Sequence, residues 1–494
     1  MSATEIEQRS LKAWIEKYHS ELLENYQEEG GYYVEILDRG VQDSLPITGK
    51  DAWLWVDFTA RDLQGNVCET RSWELALQQN TYNNHTHYTP VFRFSGKDSH
   101  TLLEGSYLAI FNKLKIGDEE FEARYGTRLR LYLPSTVTSS NTGGTADGGY
   151  EGQYELDGDK PAIVDMMVYG HITNPVAYEG NRVDSFANIN GGLCTEHKAE
   201  PKEDAKSADK SMRRRLTRAD SEEGEEEVDT RPLEFYDGRW HQPIDTLAQL
   251  YVNYAYSPAR NTFDYNAIGV DTLMYPNENG YDKGKIYGTS TLADIDRRIN
   301  EALVERFGEG ITYDEVLEAD SLQTKATANV WYIGRFLDGY VFDTNIDEVR
   351  EIVFGDVGEA GEALSFETKK PLDNDYILAW NYSLPTLRLG QWATILTVST
   401  YAYGISGQVG AHSSTTTGDT SAIDYANYYN YMSYMNSMYG YGYGSMYNSG
   451  YYGYNPYYYG YNYVPSNTNT TTITTTATEI PSYSPMIFQV FVEK

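Results

Sequence analysis

Residues 330–344 read VWYIGRFLDGYVFDT, and residues 56–70 read VDFTARDLQGNVCET. The two stretches align without a gap, and six positions carry the same residue in both. A second pair of stretches is also similar to each other: residues 161–165 read PAIVD, and residues 485–489 read PMIFQ. Similar stretches that recur in the same order are typical of a duplicated structural unit. We therefore predict two copies of one fold, about 274 residues apart.

The C-terminal copy carries a series of motifs in a fixed order. The pattern V-x-Y-x-G-x-x-x-D-G-x-x-F-D occupies residues 330–343, and YILAW follows at 376–380. YAYG stands at 401–404, and Ile480-Pro481 with PMIF at 485–488 completes the series. In this order the motifs resemble those of the FKBP family of peptidyl-prolyl isomerases, although Tyr376 stands where that family prefers a smaller apolar residue.

The resemblance implies the fold class and a site. It implies an α+β protein with two FKBP-like domains, each a twisted antiparallel sheet wrapped on a short helix, and an apolar pocket that needs no cofactor or metal. The Tyr403 phenol and the Ile480 backbone amide would hold the carbonyls of a substrate or of an FK506-class ligand, with Asp343 on the rim. Carried over by position, the expected catalytic and pocket-lining residues are Tyr332, Phe342, Asp343, Ile377, Trp380, Tyr403, Ile480 and Phe488.

The N-terminal copy departs from this pattern. Cys68 and Glu69 replace the Phe-Asp pair, the nearest match to the YILAW motif (LLEG, 102–105) has no tryptophan, and Val164 stands in place of the closing phenylalanine. A pocket without its aromatic floor should not hold a prolyl ring. We predict a degenerate copy that serves binding, scaffolding or dimerisation.

Composition and periodicity suggest the domain limits. Thr4 and Glu7 have the spacing of a capping box at the start of an amphipathic helix, and apolar spacing predicts a second helix over 292–307. Residues 195–231 hold almost nothing that could be buried, which is typical of a flexible linker. The predicted divisions are an N-terminal helix (1–31), a degenerate FKBP-like domain (32–194), a charged linker (195–232) and a C-terminal FKBP-like domain (233–494) that includes an extension (233–327) and a low-complexity insertion (405–479).

The insertion separates Gly404 from Ile480. Residues 425–463 hold 17 tyrosines, and no charged side chain lies between Asp424 and Glu479. Such a tract has no aliphatic core, which favours a disordered or flexible segment. Tyrosine and methionine also offer adaptable contact area, so a client-holding surface is the functional alternative to a passive insert.

Bulk properties exclude several classes of function. The net charge of −33 disfavours nucleic acid as a partner because phosphates would be repelled. The two cysteines, Cys68 and Cys194, have no metal-ligand spacing and form either a disulfide or two free thiols. No apolar run approaches the roughly 18–20 residues of a membrane span.

These observations predict an isomerase and folding chaperone that acts on proline-containing polypeptides through the C-terminal pocket. The alternative is a non-catalytic binding or surface-adhesion protein that keeps the fold as a scaffold, and an assembly factor for a membrane complex is a third option. High acidity and Tyr/Asn/Thr-rich tracts suggest a bacterial envelope protein, either periplasmic or an outer-membrane lipoprotein, or a secreted one. No leader is visible, and a lipid anchor would lie outside this sequence.

Overall fold

The structure is a computed structural model of the 494-residue chain. It describes residues 2–47, 52–63, 65–79, 82–96, 100–138, 161–194, 236–244, 246–260, 262–265, 274–276, 289–312, 315–316, 319–320, 322, 327–355, 360–367, 376–408, 411–417 and 470–493. The predicted linker (195–232) and most of the predicted insertion (418–469) lie outside these residues.

The chain divides into two compact units, and each is made of two chain segments. The first unit comprises Met1–Pro175 and Val409–Pro481, and the second comprises Val176–Gln408 and Ser482–Lys494. Both mix helices with antiparallel sheet, as an α+β fold requires. The domain limits proposed from composition stay a prediction.

In the first unit the helices are α1 (Ala3–Tyr18), α2 (Trp73–Gln78) and α3 (Glu104–Phe111), with 3-10 turns at Ser20–Asn25 and Ser135–Val137. The strands are β1 (Tyr26–Gln27), β2 (Tyr32–Arg39), β3 (Ala52–Asp62), β4 (Val67–Thr70), β5 (Val91–Ser95), β6 (Leu114–Ile116), β7 (Glu119–Phe121), β8 (Thr127–Leu133) and β9 (Ala162–Ile172). Among the described residues of this unit, the main sheet has the order β1-β2-β8-β9-β3-β4, and β5 also pairs with β3.

In the second unit the helices are α4 (Pro175–Ile189), α5 (Leu292–Phe307), α6 (Asp347–Phe354) and α7 (Leu378–Ser383), with 3-10 turns at Leu384–Thr386 and Ser399–Tyr401. The strands are β10 (Leu250–Asn253), β11 (Met274–Pro276), β12 (Thr289–Thr291), β13 (Thr327–Phe336), β14 (Val341–Thr344), β15 (Leu364–Glu367), β16 (Trp392–Thr397) and β19 (Met486–Val492). The main sheet has the order β10-β16-β19-β13-β14, with β15 also on β13.

The repeated sequence corresponds to a repeated strand arrangement. In the first unit Ala60 pairs with Glu69, and a bulge follows at Arg61. In the second unit Gly334 pairs with Asp343, and a bulge follows at the equivalent residue, Arg335. These registers agree with the ungapped alignment of the two stretches. Because a one-residue slip would turn each side chain to the other face of the sheet, the shared register gives matching residues the same orientation.

The closing strands also match. Ala60 faces Val164 in the first unit, and Gly334 faces Phe488 in the second. A buried arginine reaches the same partner position in each copy: Arg61 Nη1 lies 2.8 Å from the carboxylate of Asp165, and Arg335 Nε donates to Gln489 Oε1 at 2.9 Å.

Helix α1 corrects the expectation for the N-terminus. The capping box is formed by Ser2 and Glu5 rather than by Thr4 and Glu7, because the side chain of Ser2 accepts from the Glu5 amide while Glu5 accepts from the amide of Ser2. The helix ends at Tyr18, well before residue 31. Gly30 and Gly31, which lie at the end of the predicted N-terminal helix (1–31), instead form a turn with positive φ between β1 and β2.

The helix predicted over 292–307 is confirmed, and it buries Leu292, Ile295, Ile299 and Leu303. The ends of the predicted insertion are not structureless. Residues 411–417 (β17) pair with residues 470–477 (β18) in an antiparallel ladder. Both strands are rich in threonine, whose β-branched side chain favours extended backbone.

A candidate active site lined by aromatic rings

The floor of the candidate site consists of three buried aromatic side chains of the second unit. Trp380 comes from α7, Phe342 from β14 and Phe488 from β19. The Phe488 ring centroid lies 5.4 Å from that of Trp380 and 6.1 Å from that of Phe342, both in edge-to-face arrangement. Such pairs add to the stability gained from burial alone. The sequence-predicted floor residues are therefore brought together by three separate elements.

Two tyrosines extend this floor to a partly exposed rim. The Tyr332 ring lies 4.9 Å from Trp380, and the Tyr403 ring lies 6.0 Å from Phe342. Both are only half-buried, as is Ile377, the residue that precedes α7. The site is thus an unbroken series of ring contacts with a buried base and a partly exposed edge. In order, the rings are those of Tyr332, Trp380, Phe488, Phe342 and Tyr403.

Two glycines of the motifs have identifiable steric roles. A Cβ on Gly334 would lie 2.6 Å from the Phe342 ring, so only glycine lets that ring cover β13. Gly404 has a φ of +81°, in the left-handed region that glycine favours, and its amide donates to Ser399 O at 2.8 Å. This turn places Tyr403 at the end of the segment that follows β16.

The polar group of the site is the carboxylate of Asp343. The Tyr332 hydroxyl donates to Asp343 Oδ2 at 2.7 Å. Burial raises the pKa of Asp343, although the bond from Tyr332 opposes the shift. Burial and the nearby Asp343 carboxylate raise the pKa of both Tyr332 and Tyr403 well above the ordinary tyrosine value. Both phenols therefore stay protonated at neutral pH and keep their capacity to donate.

Ile480 does not join this group within the second unit. It is buried, and it falls in the first unit, at the end of the segment that carries β18. Its assignment as the residue whose amide holds a carbonyl stays a prediction.

Two contacts that hold elements of the site in place could not be inferred from the motifs. Tyr376 is tied to β15, because its hydroxyl donates to the carbonyl of Ser365 and its ring lies 5.4 Å from Phe366. Glu179 of α4 binds the amide and the hydroxyl of Ser399, where the turn leading to Tyr403 begins. No local signal links residues 220 positions apart, so Glu179 could not be found from the motifs.

The described residues of the first unit do not repeat the aromatic series. Cys68 occupies the register position of Phe342, and Val164 occupies that of Phe488. Leu103 precedes α3 as Ile377 precedes α7, but α3 carries no tryptophan. The expected departure from the site of the second unit is thus visible in the residues at matching positions.

The described part of the chain contains no group of His, Cys, Asp or Glu side chains that could hold a metal ion. None of its helices is long and apolar enough to span a membrane. Cys68 and Cys194 are both free thiols.

No family model matches the chain, and no curated protein sequence does. Structural neighbours include the three FKBP domains of wheat FKBP73 (11% identity, 94% of this chain and 95% of that one, TM-score 0.18). They also include FkpA from Escherichia coli (9%, 34% and 59%, TM-score 0.20) and a peptidyl-prolyl cis-trans isomerase from Pseudomonas syringae (10%, 60% and 98%, TM-score 0.16). TM-scores of 0.20 or less are too low to assign a fold.

Proposed function

We propose that the second unit is a peptidyl-prolyl cis-trans isomerase domain of FKBP type, and that the first unit is a degenerate copy of it. The observation that carries this proposal is the unbroken series of ring contacts from Tyr332 to Tyr403, with a buried base and a half-buried rim. The series is built by the same motifs that resemble the FKBP family. The matching registers of the two sheets support the duplication.

This arrangement suits prolyl isomerisation. Rotation about an X-Pro bond faces a barrier of about 18–20 kcal/mol that comes from amide resonance, and no bond has to break. An apolar pocket takes the proline ring and favours the twisted, less polar amide over the planar one. In this proposal Trp380, Phe342 and Phe488 hold the ring, and the protonated Tyr403 phenol donates to a carbonyl.

Asp343 has a positioning role in the proposal, because it accepts from Tyr332 and so fixes the orientation of that ring beside Trp380. Proline-containing polypeptides are the proposed clients, and an FK506-class compound is the proposed inhibitor. A chaperone role and a place in a bacterial envelope are extensions of the same proposal, and they follow from composition alone.

The first prediction concerns the Tyr403 phenol. Tyr403→Phe removes one donor and leaves the ring, so catalysis of proline-limited refolding should fall roughly three- to tenfold, the value of one hydrogen bond. Tyr401→Phe is the matched control, because Tyr401 is also half-buried and its ring is not part of the series. If the wild type gives no acceleration and binds no FK506-class ligand, the isomerase proposal fails and a non-catalytic binding protein takes its place.

The second prediction concerns the floor. Trp380→Leu should abolish most of the activity per folded molecule, because the apolar base that takes the proline ring is lost. Trp331→Leu is the control: Trp331 is equally buried and lies on β13 next to Tyr332, but its ring packs 5.7 Å from Phe307 instead. Both variants would be compared after circular dichroism has established the folded fraction. Equal losses in the two variants would mean that the aromatic floor has only a structural role.

A further inference from the structure

The first unit holds two buried arginines near the position that corresponds to the proposed prolyl pocket. Phe58 occupies the alignment position of Tyr332, and Glu69 has the register of Asp343. Where Trp380 contacts Tyr332 in the second unit, the guanidinium carbon of Arg93 lies 5.7 Å from the Phe58 ring centroid. The ring of Phe58 thus contacts a cation, whereas the ring of Tyr332 at the matching position contacts an indole.

The second arginine is held in place by the backbone. Arg71 Nε donates to Thr89 O at 3.0 Å, and Arg71 Nη2 donates to His87 O at 2.8 Å. The side chain is 1% exposed, and that of Arg93 is 6% exposed. These two hydrogen bonds to backbone carbonyls fix the orientation of the Arg71 guanidinium group independently of any bound anion. They leave Nη1 directed toward the carboxylate of Glu479.

One carboxylate of the same unit lies against both arginines. Glu479 Oε2 lies 3.5 Å from Arg71 Nη1, and Glu479 Oε1 lies 3.8 Å from Arg93 Nη1. Glu479 comes two residues after the end of β18, and its side chain is 17% exposed. Glu69 also approaches Arg93, with Oε1 3.9 Å from Arg93 Nη2.

We propose that Arg71 and Arg93 form a carboxylate-binding site in the first unit, and that Glu479 is its resident ligand in cis. The ligand class is the carboxylate of an acidic side chain, and the planar guanidinium groups suit that geometry. Occupation by Glu479 fastens the C-terminal end of the β17–β18 ladder to the unit. An acidic peptide that displaces Glu479 would release that end. This site does not depend on the proposed isomerase activity.

Chemical rescue tests the proposal on the full-length protein. Glu479→Ala removes the carboxylate and shortens the side chain to a methyl group, so its Tm should fall below that of the wild type. Added propionate should restore most of the lost Tm in a saturable manner, and neutral propionamide should not. Wild-type protein should respond at least roughly tenfold more weakly, because the tethered carboxylate competes at a high effective concentration.

Two matched variants separate binding at this site from a general salt effect. Glu479→Gln removes the charge but fills the space, so propionate should not rescue it. Glu119→Ala removes an exposed carboxylate that pairs with Arg39 in the same unit, and it should lose little Tm and gain none from propionate. A Glu479→Ala protein with unchanged Tm, or an equal response of all variants to propionate, would overturn the proposal.

A second measurement uses the wild type alone. Excess tetraglutamate peptide should speed amide hydrogen exchange in the segment 470–480, whereas the tetraglutamine peptide should not. Equal exchange with both peptides would show that external carboxylates do not displace Glu479.

Discussion

At the scale of single residues, Gly334 and Phe342 form a matched pair. A Cβ at position 334 would lie 2.6 Å from the Phe342 ring, and glycine is therefore required as long as the phenylalanine is present. The first unit has changed both members, since Ala60 and Cys68 stand at the matching positions. A small side chain at position 68 removes the ring that would exclude the alanine methyl group. Each copy therefore avoids the steric clash in its own way: the second unit combines glycine with a large ring, and the first combines alanine with a small side chain.

A double-mutant cycle checks this interpretation. Gly334→Ala should destabilise the second unit by about 1–3 kcal/mol through overpacking, and Phe342→Cys should cost about 3 kcal/mol through a cavity. The double variant reproduces the pair of the first unit, so it should lose less than the sum of the two single effects. Urea unfolding followed by tryptophan fluorescence would measure the three values. Strict additivity would mean that the two residues do not compete for the same space.

At the scale of elements, each unit uses a glutamate from its first helix to hold the turn after a sheet strand. Glu7 of α1 accepts from the amide and the hydroxyl of Ser135, and Glu179 of α4 accepts from the same two groups of Ser399. Both serines begin a 3-10 turn, where the first amides have no partner within the turn. Helix α4, which lies within the predicted first domain (32–194), thereby takes in the second unit the place that α1 takes in the first.

Reciprocal substitutions test the two contacts. Glu179→Gln leaves one acceptor oxygen where the carboxylate has two, so the side chain can no longer accept from both the amide and the hydroxyl of Ser399, at a cost of about 1–3 kcal/mol. Hydrogen exchange should then accelerate in a peptide spanning 398–404 and stay unchanged in one spanning 134–138. Glu7→Gln should give the opposite pattern. If either variant changes both peptides or neither, the glutamates do not hold the turns independently.

The same contacts show what the sequence could and could not predict. The hairpin of residues 330–344 and helix α5 were predictable, because their turn glycine and apolar spacing are local signals. The resemblance also named Trp380, Phe342 and Phe488, which the structure brings together. The hydrogen bonds from Ser399 to Glu179 and the ion pairs of Glu479 join residues hundreds of positions apart. Such contacts depend on the packing of complete elements and leave no periodic pattern in the sequence.

At the scale of the whole molecule, buried tyrosines make both units sensitive to alkali. Burial raises the pKa of Tyr33 to about 12 and that of Tyr132 still further in the first unit. In the second unit, burial likewise raises the pKa of Tyr256 and Tyr265. An unfolded chain ionises these phenols near pH 10, whereas the folded chain keeps their protons. Their contribution to stability is therefore complete below pH 10 and is lost as the pH rises through the folded pKa values.

This linkage predicts the alkaline behaviour of the protein. Above pH 10 each such tyrosine should lower the free energy of unfolding by about 1.4 kcal/mol per pH unit, so the urea midpoint should fall steeply between pH 10 and 12. The net charge of −33 also disfavours the compact state as more groups ionise. Repeating the series in 1 M NaCl separates the two causes, because a Debye length of about 3 Å screens surface repulsion but does not prevent the release of protons from the phenols that unfolding exposes. Tyr132→Phe should make the decline shallower at both salt concentrations. A urea midpoint that is constant from pH 9 to pH 11.5 in high salt would show that these side chains ionise without unfolding the sheets that bury them.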